Sequence, residues 1–164
     1  MEMVEADSSM AKTYSLNPNR ISNEDILFCI DIGPESLVEM KSTGPSGKPL
    51  TRLDSIKQAI LVFINAKLSI NPDHRFAFST LAKTASWLRK EFSSDVESAA
   101  ACLRGLSAAS APSSGPPDLT QLFRVAAHEA KKSYAQNRIL RVVSAILSLI
   151  FCLREHLLLN MDVG

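Results

Sequence analysis

The chain has 164 residues, of which 46% are hydrophobic and 21% are charged, and its formal net charge is +1. These values fit one soluble globular domain with a modest core, and they do not favour nucleic-acid binding, which normally requires a basic surplus. The three cysteines are far apart and lack metal-ligand spacing, so we expect buried, reduced thiols in a cytosolic or nuclear protein. They are Cys29, Cys102 and Cys152.

The N-terminal part of the sequence predicts a tail, a strand and a loop. Residues 1–24 are polar and predict a disordered tail without a secretory signal. The apolar run from Ile26 to Ile30 ends at Asp31 and predicts a strand buried on both faces, as in a parallel sheet. Residues 33–50 contain three glycines and three prolines and therefore predict a loop.

The central part predicts a helix followed by a hairpin. Apolar residues recur at three- and four-residue spacing from about Leu53 to Leu68, and either Thr51 or Asp54 can cap this helix. After a turn, two short runs at 74–82 and 85–92 lie close enough together to predict a β-hairpin.

Two further helices and a last strand follow. We expect a helix near 95–105, capped by Asp95 or Ser94, and a helix at about 119–134, capped by Asp118. The apolar face predicted for the second of these helices consists of Leu119, Leu122, Phe123 and Ala126. Residues 138–143 predict the last strand.

A small basic cluster lies near the C-terminal end of the last helix. We interpret it as a solvated helix end beside a strand start, because a nucleic-acid surface normally needs many phosphate contacts. Its members are Lys131, Lys132, Arg138 and Arg141.

The run Val142–Leu153 is apolar apart from its serines, but its 12 residues are fewer than the roughly 20 that a membrane span needs. A buried helix or a strand plus a helix is favoured over a tail anchor, and we expect no membrane partner.

The predicted order, β-loop-α-ββ-α-α-β, indicates an α/β fold with an open, mostly parallel sheet and helices on both faces. In such sheets ligands bind outside the carboxyl ends of the strands, which is where Asp31 is expected to lie.

Two chemistries fit this loop poorly. A phosphate-binding loop would need other residues at Ser42 and Pro49, and aspartyl phosphoryl transfer would need a second carboxylate at Gly33.

A third chemistry is a metal-ion-dependent adhesion site, whose D-x-S-x-S motif holds a divalent cation through oxygen atoms. Here the frame reads Asp31, Gly33 and Glu35, so both hydroxyls are missing, and Ser36 lies one position out of register. We interpret these four residues as a degenerate remnant in which Asp31 accepts backbone N–H bonds, and we expect neither a metal nor another cofactor.

The strand that ends in aspartate, the degenerate motif, the long amphipathic helix and the hairpin together resemble a von Willebrand factor A-like domain. More narrowly, they resemble the A-domain scaffold subunit shared by the BRISC and BRCA-one-A deubiquitinase complexes. The resemblance covers Ile26 to about Val142. Its segments are ILFCIDIGPES, TRLDSIKQAILVFINAKLSINPDHRFAFSTL, TASWLRKEFSSDVESAAACLRGL and NRILRV.

This resemblance implies a non-catalytic scaffold, acting in DNA-damage response and ubiquitin signalling in the nucleus and cytoplasm. The implied partners are a ubiquitin-conjugating-enzyme-like subunit and metalloprotease-fold subunits of a complex that cleaves lysine-sixty-three-linked ubiquitin chains. On this interpretation, residues 25–143 form a partial A-domain in a C-terminally shortened form, and residues 144–164 form a divergent apolar segment.

Two alternatives remain open at this point. One is a metal-dependent A-domain that binds an acidic partner residue through a cation at Asp31, Glu35 and Ser36. The other is a small phosphohydrolase in which Asp31 is the nucleophile.

Overall fold

The computed structural model describes residues 22–44, 47–109 and 118–145, which form one four-stranded sheet, one small hairpin and three helices. The strands are β1 (Glu24–Asp31), β2 (Glu39–Thr43), β3 (Pro49–Thr51), β4 (Arg75–Leu81), β5 (Ala85–Ser93) and β6 (Ile139–Ala145). The helices are α1 (Arg52–Ile70), α2 (Val96–Arg104) and α3 (Leu119–Ala135), and a 3₁₀ turn spans Pro34–Leu37.

The main sheet has the order β5-β4-β1-β6. Strands β4 and β6 both pair with β1 in parallel, and β5 pairs with β4 antiparallel. Every residue of β1 is buried, as expected for a central strand of a parallel sheet. The prediction of an open, mostly parallel α/β sheet is therefore confirmed.

Helices cover both faces of this sheet. On one face, Ile26, Phe28 and Ile30 of β1 pack with buried residues of α1 and α2. On the other face, Cys29 packs with Leu81 and with Leu122 of α3. Successive side chains of β1 point to opposite faces of the sheet, so this one strand contributes to both apolar layers.

Each helix begins at a residue that the sequence singled out as a cap. Thr51 and Asp54 form a capping box at the start of α1, so both candidate caps contribute. The side chains of Asp95 and Asp118 accept backbone N–H groups at the starts of α2 and α3. These caps satisfy N–H groups that have no partner within the helix.

The interval 33–50 differs from its prediction as a loop. It contains the 3₁₀ turn and strand β2, which pairs antiparallel with β3. All five residues of β2 are exposed. An exposed strand lacks the apolar alternation that identifies a half-buried strand in a sequence, and this explains the error.

The apolar face predicted for α3 is partly wrong. Phe123 is 67% exposed, whereas Leu122, Glu129 and Ser133 are buried. The buried face of this helix is thus defined partly by polar side chains, which a search for an apolar stripe passes over.

No helix within 22–44, 47–109 and 118–145 is long and apolar enough to cross a membrane. The predicted tail 1–24 and the predicted segment 144–164 lie almost wholly outside these ranges, so the proposed division of the chain stays a prediction.

Candidate functional site

Asp31 is the last residue of β1 and lies, 3% exposed, at the carboxyl edge of the sheet. Its Oδ1 atom accepts the Gly33 N–H at 2.8 Å. The next residue, Ile32, donates its N–H to the Leu81 carbonyl at 2.9 Å, which holds the turn against β4. The Asp31 carboxylate therefore closes the turn that follows the central strand.

The other three residues of the predicted remnant have different environments near this turn. A Cβ atom on Gly33 would lie 3.1 Å from Asp31 Oδ1, so a side chain there would crowd the carboxylate. The Glu35 carboxylate lies 3.5 Å from the Arg52 guanidinium. Ser36 is fully buried, and its hydroxyl has no hydrogen-bond partner among the described residues.

These residues fit a hard divalent cation poorly. Such an ion takes about six oxygen ligands, whereas Glu35 is paired with a cation and Gly33 offers no side-chain oxygen. Asp118, predicted as a helix cap, accepts the Thr120 N–H at 2.8 Å in that role. The described part of the chain contains no group of three or more histidine, cysteine, aspartate or glutamate residues placed to hold a metal.

A second polar cluster lies at the opposite, amino-terminal end of β1. Asp25 is 1% exposed, and its two carboxylate oxygens accept four hydrogen bonds. Arg75 contributes two of them at 2.8 Å, Arg138 Nε contributes one at 2.6 Å and the Ser133 hydroxyl one at 2.7 Å. A carboxylate offers about four acceptor positions, so Asp25 is saturated by the protein itself.

Glu24 extends this cluster to the face of the sheet that α1 covers. Its carboxylate lies 2.5 Å from Lys67 Nζ and 2.6 Å from Arg141 Nε. Burial by itself raises the pKa of Glu24, but the hydrogen bonds from Lys67 and Arg141 outweigh burial and lower the pKa below its usual range. The pKa of Asp25 is likewise lowered, because its arginine and serine donors outweigh the effect of burial.

His74 lies beside these carboxylates and is 1% exposed. Its Nδ1 atom accepts the Glu24 backbone N–H at 3.1 Å, which requires an unprotonated Nδ1. The Nε2 atom is buried and has no hydrogen-bond partner among the described residues. Burial is the main cause that lowers the pKa of His74, so the neutral ring is the stable form in the fold.

The interpretation of the basic cluster as a solvated helix end is wrong for Arg138, whose side chain is 10% exposed, whereas the side chains of Lys132 and Arg141 are 55% and 56% exposed. Arg138 and Arg141 bind Asp25 and Glu24, and Lys132 binds Glu129 at 2.7 Å. An open cavity of about 280 Å³ lies beside Asp25, and Arg75, Lys132, Glu91 and Glu129 contribute charges of both signs to its wall. Because Asp25 is saturated, this cluster is best explained as a structural ion-pair network.

The sequence contains a signal for this network that local periodicity does not reveal. Charged residues stand at the amino ends of three strands: Glu24 and Asp25 on β1, Arg75 on β4 and Arg138 before β6. The amino ends of parallel strands meet at the same edge of a sheet, so opposite charges at these positions predict ion pairs once the parallel order is known.

The prediction of buried thiols is confirmed for Cys29 and only in part for Cys102. Cys29 is buried and Cys102 half-buried, and both are free. Burial raises the pKa of each thiol, so both remain protonated at neutral pH. Cys152 lies outside the described residues.

No family model and no curated protein matches the chain. Among solved structures, the PilB minor pilin from Streptococcus sanguinis matches with a TM-score of 0.57 at 13% identity, over 74% of this chain and 29% of that chain. An uncharacterized membrane-spanning protein from Vibrio fischeri matches with a TM-score of 0.50 at 11% identity, over 74% and 70% of the two chains. The SpRpn10 VWA domain has a TM-score of 0.46 at 14% identity, over 77% and 78%.

At these identities a structural likeness shows the fold alone. Together with the strand order and the helices on both faces, the two matches with TM-scores of 0.57 and 0.50 agree with the α/β fold class predicted from the sequence. A complex, an activity or a ligand does not follow from them.

Proposed function

We propose that this chain is a non-catalytic scaffold that works through protein–protein contacts. The observation that carries the proposal is the use of the Asp31 carboxylate within the fold, where it accepts the Gly33 N–H at 2.8 Å. Glu35 is paired with Arg52, and Gly33 brings no hydroxyl to the turn. A loop of this composition is better suited to holding its own shape than to binding a cation or a phosphoryl group.

We further propose which assembly this chain belongs to. The segments that resemble the A-domain subunit of the BRISC and BRCA-one-A complexes make this chain a candidate scaffold of a lysine-sixty-three-specific deubiquitinase. On this proposal its partners are the ubiquitin-conjugating-enzyme-like subunit and the metalloprotease-fold subunits, and it acts in the nucleus and cytoplasm. Catalysis belongs to a metalloprotease subunit.

Co-expression tests this proposal. The full chain is expressed with the ubiquitin-conjugating-enzyme-like subunit and analysed by size-exclusion chromatography with and without EDTA. We expect co-elution in both buffers. We also expect Asp31→Asn to co-elute like wild type, because an amide oxygen still accepts the Gly33 N–H. Asp73→Asn, at an exposed turn, is the matched control. If wild type fails to co-elute both with and without EDTA, the scaffold proposal is contradicted.

One observation favours a second candidate function, a metal-dependent A-domain that binds an acidic side chain of a partner. Ser36 is buried close in sequence to Asp31, and its hydroxyl has no hydrogen-bond partner among the described residues, so it is an oxygen donor with unused capacity. In this alternative, Mg²⁺ or Mn²⁺ stabilises wild type in a thermal melt, and Asp31→Asn abolishes that stabilisation. Co-elution that is lost in EDTA would favour this alternative over the scaffold without metal.

A further inference from the structure

Strand β6 forms an edge of the sheet and pairs only with β1 among the residues that the structure describes. The Ile139 N–H donates to the Asn23 carbonyl at 3.0 Å, which shows that the backbone of Ile139 faces β1. Because successive residues of a strand direct their backbone groups to opposite sides, Leu140, Val142 and Ser144 direct theirs away from β1. These groups form a template for another strand.

The side chains of β6 do little to block such pairing. Ile139, Val142 and Val143 are 46%, 41% and 38% exposed, and the only charged side chain on the strand, Arg141, binds Glu24. The opposite edge, β5, is protected in the usual way, by irregular register and by charged side chains. The two edges of the same sheet are therefore unlike, and only β6 presents an apolar edge.

An exposed apolar stripe on α1 lies on the face of the sheet to which Phe28 points, and Phe28 belongs to β1, the strand next to this edge. Its residues follow a spacing of four, three and four, which is the spacing of a helix-packing seam. Within the stripe, the Phe63 ring meets the Phe28 ring edge-on at 5.7 Å, and Phe28 is the register partner of Val143 on β6. The stripe consists of Ala59, Phe63, Ala66 and Ile70, all exposed.

We propose that the α1–β6 face, defined by this stripe and by β6, binds a second copy of the same chain. The two β6 strands pair antiparallel about a two-fold axis at Val142. Val142 then faces its own copy, Leu140 faces Ser144, and Arg141 faces Val143. Every outward-facing backbone group of these residues gains a partner, and no two like charges stand directly opposite each other.

A two-fold axis perpendicular to the sheet leaves both copies of α1 on the same face. The two β1 strands are then three strand spacings apart, about 14 Å. Phe63 packs on Phe28 of β1 at the level of Val143. The two Phe63 rings thus lie on the same face of the joined sheet, each packed on Phe28 of its own copy. An identical partner is favoured because one surface supplies both halves of the contact.

The exposed area agrees with a dimer. The exposed parts of the apolar side chains on β6 and the α1 stripe amount to about 500 Å² per copy, or about 1,000 Å² for a pair, which reaches the lower limit for a specific interface. The interface combines backbone pairing with apolar burial, as other sheet-extending contacts do.

Light scattering coupled to size exclusion, on the full chain, tests the proposal. We expect a dimer that Val142→Lys dissociates, because the substitution places two lysines directly opposite each other. The dissociation constant should rise roughly tenfold or more. Leu88→Lys on β5 is the matched control, since Leu88 is 40% exposed on the other edge, and it should leave the dimer intact.

A second measurement does not depend on weakening the fold. Val142→Cys should give a cross-linked dimer with a short thiol-to-thiol reagent, whereas Leu88→Cys and wild type should not. A monomeric wild type, or a dimer insensitive to Val142→Lys and not cross-linked through Val142→Cys, would overturn the proposal. In a monomer, slow amide exchange at Val142 would show that another part of the same chain pairs with this edge. Fast exchange would show that the edge is free to pair with a different protein.

Discussion

The Nε atom of Arg138 lies 2.6 Å from Oδ1 of Asp25, a residue 113 positions earlier in the chain. This bond joins the segment before β6 to the amino-terminal end of the central strand. The Arg138 side chain is 10% exposed and that of Asp25 is 1% exposed, so the pair is shielded from solvent. The order of the strands at this end of the sheet is therefore tied to one buried carboxylate.

We expect Asp25→Asn to reduce the free energy of unfolding by about 3–5 kcal/mol, because it removes the charge that compensates a buried arginine. Urea unfolding measures the change. Lys132→Gln is the control: it breaks the pair with Glu129, but the Lys132 side chain is 55% exposed, so the loss should stay below about 1 kcal/mol. Equal losses in the two variants would show that burial of the Asp25 pair has no energetic weight.

We expect stability to fall as the pH is lowered from 7 to below 6, through His74. Burial lowers the pKa of His74 in the fold, so the unfolded chain takes up this proton more readily than the folded chain. The stability contribution is complete above the unfolded pKa of about 6.5 and is lost progressively below it. Glu24 and Asp25 keep their charges in this window because their pKa values are lowered.

Thermal melts of two variants separate this effect from other titrations. In His74→Asn an amide oxygen can accept the Glu24 N–H without titrating, so the slope between pH 7 and 5.5 should flatten. His128→Gln changes an exposed histidine and should keep the wild-type slope. An unchanged slope in His74→Asn would refute the assignment.

We expect Phe28→Ala to cost about 3–5 kcal/mol, because a large buried ring is removed and a cavity is left. Phe28 is 2% exposed, and its ring stacks on those of Phe76 and Phe78 at 6.3 Å and 5.7 Å. Phe123→Ala, at a ring that is 67% exposed, should stay within about 0.5 kcal/mol. If chemical denaturation gave the reverse order, the assignment of the core would be wrong.

We expect Thr51→Ala to cost about 1 kcal/mol, because it removes half of the capping box at the start of α1. Thr51 Oγ1 accepts the Asp54 N–H at 3.1 Å, and Asp54 accepts the Thr51 N–H at 3.2 Å. Thr51→Ser keeps the hydroxyl and should retain most of the stability. Urea unfolding of both variants checks this, and identical losses would assign the effect to the methyl group of threonine.

The sequence by itself determined the local elements. Strand β1, the hairpin of β4 and β5, and the starts of α1, α2 and α3 were all predicted, and the caps Thr51, Asp95 and Asp118 occupy their expected positions. Helix caps and apolar periodicity involve residues a few positions apart, so a single sequence contains the whole signal. The turn closed by Asp31 is local for the same reason, since its partner is Gly33.

The tertiary structure decided which distant residues meet. It placed Arg138 and Arg75 on Asp25, exposed Phe123 and buried Ser133. None of these outcomes follows from local spacing. The ion pairs depend on which strands lie side by side. The buried face of α3 depends on the polar atoms of β1 that it contacts. A buried charge needs a partner of opposite sign, and the order of the strands in the sheet determines which residue that partner is.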